Sequence, residues 1–73
     1  MSCKINITWD EEASVYIATS EDVPGLVLES GSYDALIEKV RFAIPELLAL
    51  NNKRADLIDL TIVSERHYLV SNG

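Results

Sequence analysis

Residues 16–40 read Tyr16-Ile-Ala-Thr-Ser-Glu-Asp-Val-Pro-Gly-Leu-Val-Leu-Glu-Ser-Gly-Ser-Tyr-Asp-Ala-Leu-Ile-Glu-Lys-Val40, and this stretch decides the fold. The β-branched and aromatic run from residue 15 to residue 19 predicts a strand. Pro24-Gly25 favours a type II turn, because glycine accepts the positive φ that the third position of that turn requires. Residues 26–29 predict a further strand, and Ser32 then supplies a hydroxyl that can cap a helix. The stretch therefore predicts strand, turn, strand and helix.

Two more strands flank this stretch. In residues 3–9 the apolar side chains, Trp9 among them, alternate with polar ones, which is the period of a half-buried strand whose apolar side faces the core. Residues 10–14 are polar and predict the turn that follows. Residues 57–63 alternate again and predict the fourth strand, which residues 66–70 either extend or follow as a short fifth strand.

The predicted helix has one apolar stripe and one internal proline. Asp34 places a negative charge in its first turn, where the helix dipole favours it, and Asn51 and Asn52 end it. Pro45 lacks a backbone donor and its ring clashes with the carbonyl of Arg41, so we expect a kink, or a break and a restart, at this point. The apolar stripe has helical spacing on both sides of the proline and consists of Leu36, Ile37, Val40, Ala43, Ile44, Leu47 and Leu48.

The order βββαβ predicts an α+β fold with a mostly antiparallel, four-stranded sheet. Short links favour an antiparallel meander of the first three strands. A right-handed crossover through the helix returns the fourth strand beside the first and parallel to it, in the spatial order 3-2-1-4. The helix covers one sheet face; the other face can be solvated, but apolar side chains there would favour a partner. Residues 1–73 are expected to form a single domain.

Composition and charge narrow the range of partners. A chain of 73 residues buries only about 60% of the surface that its unfolded form exposes, so association with another copy is a natural way to hide apolar area. The net charge of -6, with only six basic residues, argues against direct binding to nucleic acid. It suits a basic protein partner, but solvated surface charge that keeps the protein soluble explains it equally well. No apolar run approaches the roughly 20 residues of a membrane helix, and no signal peptide precedes the first strand. We therefore expect a cytoplasmic protein with no membrane contact.

Three motifs in this order resemble the N-terminal domain of the HicB antitoxin superfamily: Y-x-A from Tyr16, D-x-P-G-L from Asp22 and S-x-D-x-L-I-E-K-V from Ser32. The resemblance is closer to small stand-alone members of that superfamily, which have no DNA-binding tail. It covers most of the chain and weakens after Asn51. It implies a truncated ribonuclease-H-like core without a catalytic carboxylate set, and it supports the strand order 3-2-1-4. It also implies an antitoxin-type partner that covers the active surface of a small basic ribonuclease toxin.

No residue pattern in the chain predicts catalysis, a cofactor site or a metal site. Asp10-Glu11-Glu12 is the densest acidic cluster, but three consecutive side chains in a hairpin loop point apart and do not converge on a cation. His67 is the only histidine, and no nucleophile accompanies it. Cys3 is the only cysteine, so it forms neither an internal disulfide nor a metal site alone. We expect no enzymatic activity, and a cation-dependent nuclease is the least favoured alternative.

Four residues are candidates for protein contact: Phe42, Pro45, Tyr33 and Tyr68. At 100° per residue, Phe42 lies well off the apolar stripe and would be exposed beside Pro45. Exposed aromatic side chains are typical of contact surfaces, although scattered surface apolar residues are also common, and the C-terminal segment could cover this one. Open sheet edges are the other docking elements. The two function hypotheses are therefore an antitoxin-type protein-binding domain and a homo-oligomeric module, a dimer or a higher oligomer, whose partner is another copy of itself.

Overall fold

A computed structural model of the chain describes all 73 residues. The elements are β1 (Ser2–Asp10), β2 (Val15–Thr19), β3 (Val27–Ser30), α1 (Tyr33–Leu50) and β4 (Asp59–Ser64). The strands form one sheet in the order β3-β2-β1-β4. β2 is antiparallel to both of its neighbours, and β4 is parallel to β1. The α+β class, the strand order and the strand directions predicted from the sequence are confirmed.

α1 packs on one face of the sheet, and the two together supply the core. One helical side chain is buried in each turn, because residues four apart lie on the same side of a helix. Alternate side chains of β1 and β2 pack against these helical side chains, and two residues of the β2–β3 turn complete the core. The buried side chains are Cys3, Ile5, Ile7, Tyr16, Ala18, Val23, Leu26, Leu36, Val40, Ile44 and Leu48. The predicted apolar stripe and the alternation of β1 are thus confirmed, although Trp9 is only half-buried.

The turn between β2 and β3 has the geometry that its sequence predicts. Gly25 has a φ of 86°, and the Leu26 N–H donates to the Val23 carbonyl at 3.2 Å. A positive φ at the third of four turn residues is the mark of a type II turn. After β3, the Ser32 hydroxyl accepts from the Ala35 N–H at 3.3 Å and caps α1. The turn and the helix start are therefore both set by local sequence.

Two strands begin one or two residues later than expected. Leu26 is held in the turn by its bond to Val23, so β3 begins at Val27. β4 begins at Asp59, whose N–H donates to the Met1 carbonyl at 2.7 Å and opens the pairing with β1. The pairing of β4 with β1, rather than its own apolar pattern, sets where that strand begins.

Pro45 lies inside a single uninterrupted α1, so a break and restart at this point is wrong. Pro45 and Arg41 are both exposed, and water can satisfy the Arg41 carbonyl that loses its helical donor. The core residues Ile44, directly before the proline, and Leu48, after it, hold both parts of the helix to the sheet.

Residues 66–70 form no strand, neither as an extension of β4 nor as a fifth piece. The Glu65 N–H makes the last bond to β1, at 2.9 Å to the Ile7 carbonyl. The chain then turns across the helix side of the sheet, where the His67 N–H donates to the Tyr16 hydroxyl at 3.3 Å. Side-chain anchors therefore replace the strand ladder in this segment.

Candidate protein-contact site

α1 leaves the β4 side of the sheet uncovered. Its backbone approaches β2 and β3 but not β4. Leu60 and Ile62 lie in register with the buried residues Cys3 and Ile5, so their side chains point to the helix side of the sheet. Both nevertheless remain half-buried. A groove therefore runs between the helix and the edge of the sheet.

This groove has apolar walls and a mostly basic rim. It opens into a space of about 490 Å³ beside residues 53–58 and a second space of about 200 Å³ beside Arg41. Lys53, Arg54 and Asp56 stand at its rim. Its walls are Ile44, Pro45, Leu48, Ile58 and Leu60. The groove is thus suited to apolar contact with a surface that is not strongly basic.

Phe42 and Pro45 are neighbours on the surface of α1, three residues apart, but only Pro45 borders the groove. Phe42 is 75% exposed and points away from the sheet, opposite the buried residues. The C-terminal segment does not cover it. Pro45 is also exposed, but it forms part of the groove wall. Phe42 is therefore an isolated aromatic side chain on the outer face of the helix, as its angular position predicts.

Tyr33 belongs to an aromatic cluster at the other end of the helix. We use this name for Trp9, Tyr16 and Tyr33. The Trp9 and Tyr16 ring centroids are 4.8 Å apart, and those of Tyr16 and Tyr33 are 5.4 Å apart, both edge-to-face. Such pairs add about 0.5–1.5 kcal/mol each beyond their burial. The cluster therefore fixes the start of α1 against the ends of β1 and β2.

The C-terminal segment packs on this cluster. The His67 ring stacks on Trp9, with centroids 5.2 Å apart and planes 5° from parallel. The Arg66 guanidinium lies 4.6 Å from the Tyr33 ring centroid and 5.5 Å from that of Tyr68. A carboxylate oxygen of Glu65 accepts from the Trp9 backbone N–H at 3.2 Å. Residues 65–67 are thus anchored by three kinds of contact, while Tyr68 remains exposed.

The four contact candidates consequently form two separate pairs. Tyr33 and Tyr68 are joined through Arg66 at one end of the molecule. Phe42 follows Tyr33 by nine residues, about 14 Å along a helix at 1.5 Å per residue. The structure therefore does not bring the four side chains into one patch.

The sheet face opposite α1, called the open face below, has no covering element. Its side chains belong to the strand residues that alternate with the core residues along each strand. β-branched residues dominate it, and Val27 is 71% exposed. Its charged residues are Lys4, Asp10, Glu29 and Asp59, one basic against three acidic. Its uncharged residues are Ser2, Asn6, Thr8, Val15, Ile17, Thr19, Val27, Thr61 and Val63.

The residues considered for chemistry are far apart or have structural partners. Asp10 accepts from the Ala13 N–H at 3.3 Å and shapes the β1–β2 turn. No three histidine, cysteine or acidic side chains converge into a group that could hold a metal ion. Cys3 is a free thiol buried in β1, and His67 contacts Trp9 rather than a nucleophile.

Sequence reasoning missed two parts of this site. The groove depends on where α1 crosses the sheet, and no local pattern encodes that. The docking of residues 65–67 could have been suspected from the sequence, because Glu65, Arg66 and His67 offer three polar groups after a strand and an aromatic cluster offers their partners.

α1 is not long and apolar enough to cross a membrane.

The family described as a domain of unknown function, DUF1902, matches residues 2–69. The chain belongs to this family. Among solved structures, the chain is similar to the crystal structure of hypothetical protein TTHA1013 from the extremely thermophilic bacterium Thermus thermophilus. The TM-score is 0.81, the sequence identity is 34%, and the match covers 96% of this chain and 100% of that one. No curated protein matches. The DUF1902 match extends to residue 69, so it includes the segment that packs on the aromatic cluster.

Proposed function

We propose that this DUF1902 chain is a HicB-like protein-binding domain that acts as an antitoxin-type partner of a small basic ribonuclease. The observation that carries the proposal is the open face, an uncovered sheet surface with exposed β-branched side chains. Uncovered apolar area on a small domain favours a partner. The motifs that resemble the HicB superfamily suggest which partner this is.

The proposed mechanism is occlusion without chemistry on this chain. Apolar contact with residues such as Val27 and Val63 would supply affinity. Asp10, Glu29 and Asp59 on the same face, within a chain of net charge -6, would attract a basic partner and raise its association rate. A ribonuclease held in this way would lose access of RNA to its active surface.

The first experiment is capture of the tagged chain from its native cells, followed by native mass spectrometry. The expected companion is a small basic protein in a fixed ratio, whose ribonuclease activity emerges only after the two are separated. A companion without ribonuclease activity, or none in cells where the chain is expressed, would contradict the antitoxin proposal.

Matched lysine variants then locate the contact. Val27→Lys places a positive charge on the open face, whereas Leu50→Lys makes the same change at the end of α1, where the side chain is also exposed. We expect Val27→Lys to lose the companion and Leu50→Lys to retain it. Phe42→Lys tests the outer face of the helix in the same assay. Loss of the companion at Phe42 alone would move the contact from the open face to α1.

A second candidate function is self-association. The observation that favours it is the exposed edge of β4, which stands beside the groove and its half-buried apolar walls. A homo-oligomer would cover that area with another copy of the same surface. This candidate needs no toxin, so it stands or falls independently of the capture experiment.

A further inference from the structure

The free edge of β4 presents a defined set of backbone groups. The N–H groups of Asp59 and Glu65 donate to the carbonyls of Met1 and Ile7, so both point toward β1. Residues two apart in a strand direct their backbone groups to the same side. The odd-numbered residues of β4 therefore face β1. Leu60, Ile62 and Ser64 direct their N–H and C=O groups to the free edge, where no strand of this chain accepts them.

Nothing in the sequence of β4 protects that edge. Natural edge strands usually carry lysine, proline or a bulge, or are very short. β4 has six residues, no proline and no lysine, and its only charge is Asp59 at the first position. β3, the other edge, has only four residues and carries Glu29 in its middle. β4 is therefore the edge that is open to a further strand.

We infer that the β4 strands of two copies pair antiparallel, around a two-fold axis at Thr61. The partner is a second copy because β4 is complementary to itself. In this register Leu60 of each copy lies opposite Ile62 of the other, and these are the residues whose backbone groups face the free edge. The two strands exchange their outward hydrogen bonds while matching apolar side chains on the helix side. The inference rests on the self-association candidate and gives it an interface.

Charge disfavours the register in which the axis moves one residue toward the C-terminus. A shift of one step would place Ile62 on the axis and Asp59 opposite Glu65 of the other copy. Like charges directly opposite each other in a sheet are destabilising. With Thr61 on the axis, Asp59 lies opposite Val63 instead, and two threonines meet at the centre. Cross-strand threonine pairs are favourable.

The groove explains why two acidic chains can meet on this side. Pairing of the β4 strands extends the half-buried strip of Leu60 and Ile62 across the axis, toward the groove of each copy. The rim carries Arg41, Lys53 and Arg54 against Asp56 and the Glu38 that pairs with Arg41 at 3.0 Å. With Asp59 at the start of β4 also counted, three basic against three acidic groups give a local net charge of zero, while the whole chain carries -6. Repulsion between two copies is therefore weaker here than elsewhere on the surface.

A disulfide across the axis tests this arrangement. With the axis at Thr61, the two Thr61 residues form a pair without mutual hydrogen bonds, whose Cα atoms lie about 4.5 Å apart. This is within the range that a disulfide spans. Thr61 is exposed on the open face and its side chain takes no part in the core, so Thr61→Cys keeps the fold. Under mild oxidation the variant is expected to convert almost completely to a covalent dimer at micromolar concentration.

Val63→Cys is the matched control. It lies on the same strand and the same face, but the two copies of residue 63 are offset by four residues, about 13 Å along the strands. This variant should remain uncrosslinked, and wild type should too, because its only thiol is the buried Cys3. Native mass spectrometry of wild type should show twice the 8.1 kDa chain mass.

The outcomes separate the interface from the self-association on which it rests. Efficient crosslinking of Thr61→Cys alone supports β4 pairing in this register. A wild-type dimer with no Thr61→Cys crosslink, or with equal crosslinking of Val63→Cys, overturns the pairing but leaves self-association standing. A wild-type monomer up to high micromolar concentration, without crosslinks, overturns both and leaves the toxin-binding proposal untouched.

Discussion

Substitution of Gly25 by alanine should destabilise the fold through the backbone rather than through packing. Gly25 has a φ of 86°, which an L-residue adopts at a penalty of roughly 1–2 kcal/mol. A Cβ at this position would lie 3.6 Å from Leu47 Cδ2, an ordinary contact, so no clash adds to the penalty. The free energy of unfolding should therefore fall by about 1–2 kcal/mol.

Urea unfolding followed by circular dichroism measures this change. For a domain of this size the slope is about 1 kcal/mol per M, so the midpoint should fall by roughly 1–2 M. Gly31→Ala is the matched control, since Gly31 does not have a positive φ in the strained range and its Cβ would meet only the Ser14 carbonyl at 3.8 Å. Both variants must be compared at one protein concentration, because self-association makes stability concentration-dependent. Equal midpoints for the two variants would refute the assignment of strain to Gly25.

Three further predictions address the core, the C-terminal segment and the thiol. Ile44→Ala should lower the free energy of unfolding by about 2–5 kcal/mol, because Ile44 is 1% exposed. Phe42→Ala removes an exposed side chain and should change it by less than about 0.5 kcal/mol. Comparable losses for the two variants in urea unfolding would contradict the placement of Phe42. His67→Ala should shift the fluorescence of Trp9, the only tryptophan, to longer wavelength by uncovering one face of the indole, and an unchanged spectrum would show that this segment is not docked. Cys3, 2% exposed, should react with a thiol reagent only as fast as the chain opens, and a complete reaction within the mixing time would show that β1 is not buried.

The fold could be predicted from the sequence because its signals are local and mutually consistent. Gly25 sets a turn, Ser32 caps a helix, and the alternation around Ile5 identifies a strand, and each of these signals acts within a few residues. The handedness of the crossover then restricts where β4 can lie. The errors occurred where a distant partner overrides local preference. β4 begins where Met1 offers a carbonyl, and α1 continues through Pro45 because core contacts on both sides hold it.

The candidate site was less predictable, because a site depends on relative placement. The exposure of Phe42 followed from its angle on the helix and is confirmed. Its separation from Tyr33 and Tyr68 did not follow, since the path of the C-terminal segment depends on Arg66 and His67 finding aromatic rings. The groove could not be predicted at all, because it forms only where α1 leaves β4 uncovered.

The two proposals are compatible, because they use different surfaces. Antiparallel pairing of β4 with its copy joins two sheets into one of eight strands in the order β3-β2-β1-β4-β4-β1-β2-β3. Strand pairing keeps each sheet face on its own side, so the two open faces become one continuous surface. That surface would carry six acidic against two basic side chains, counting Lys4, Asp10, Glu29 and Asp59 once for each copy. An assembly of two chains should then attract a basic partner more strongly than one chain, and it would hold two partners rather than one.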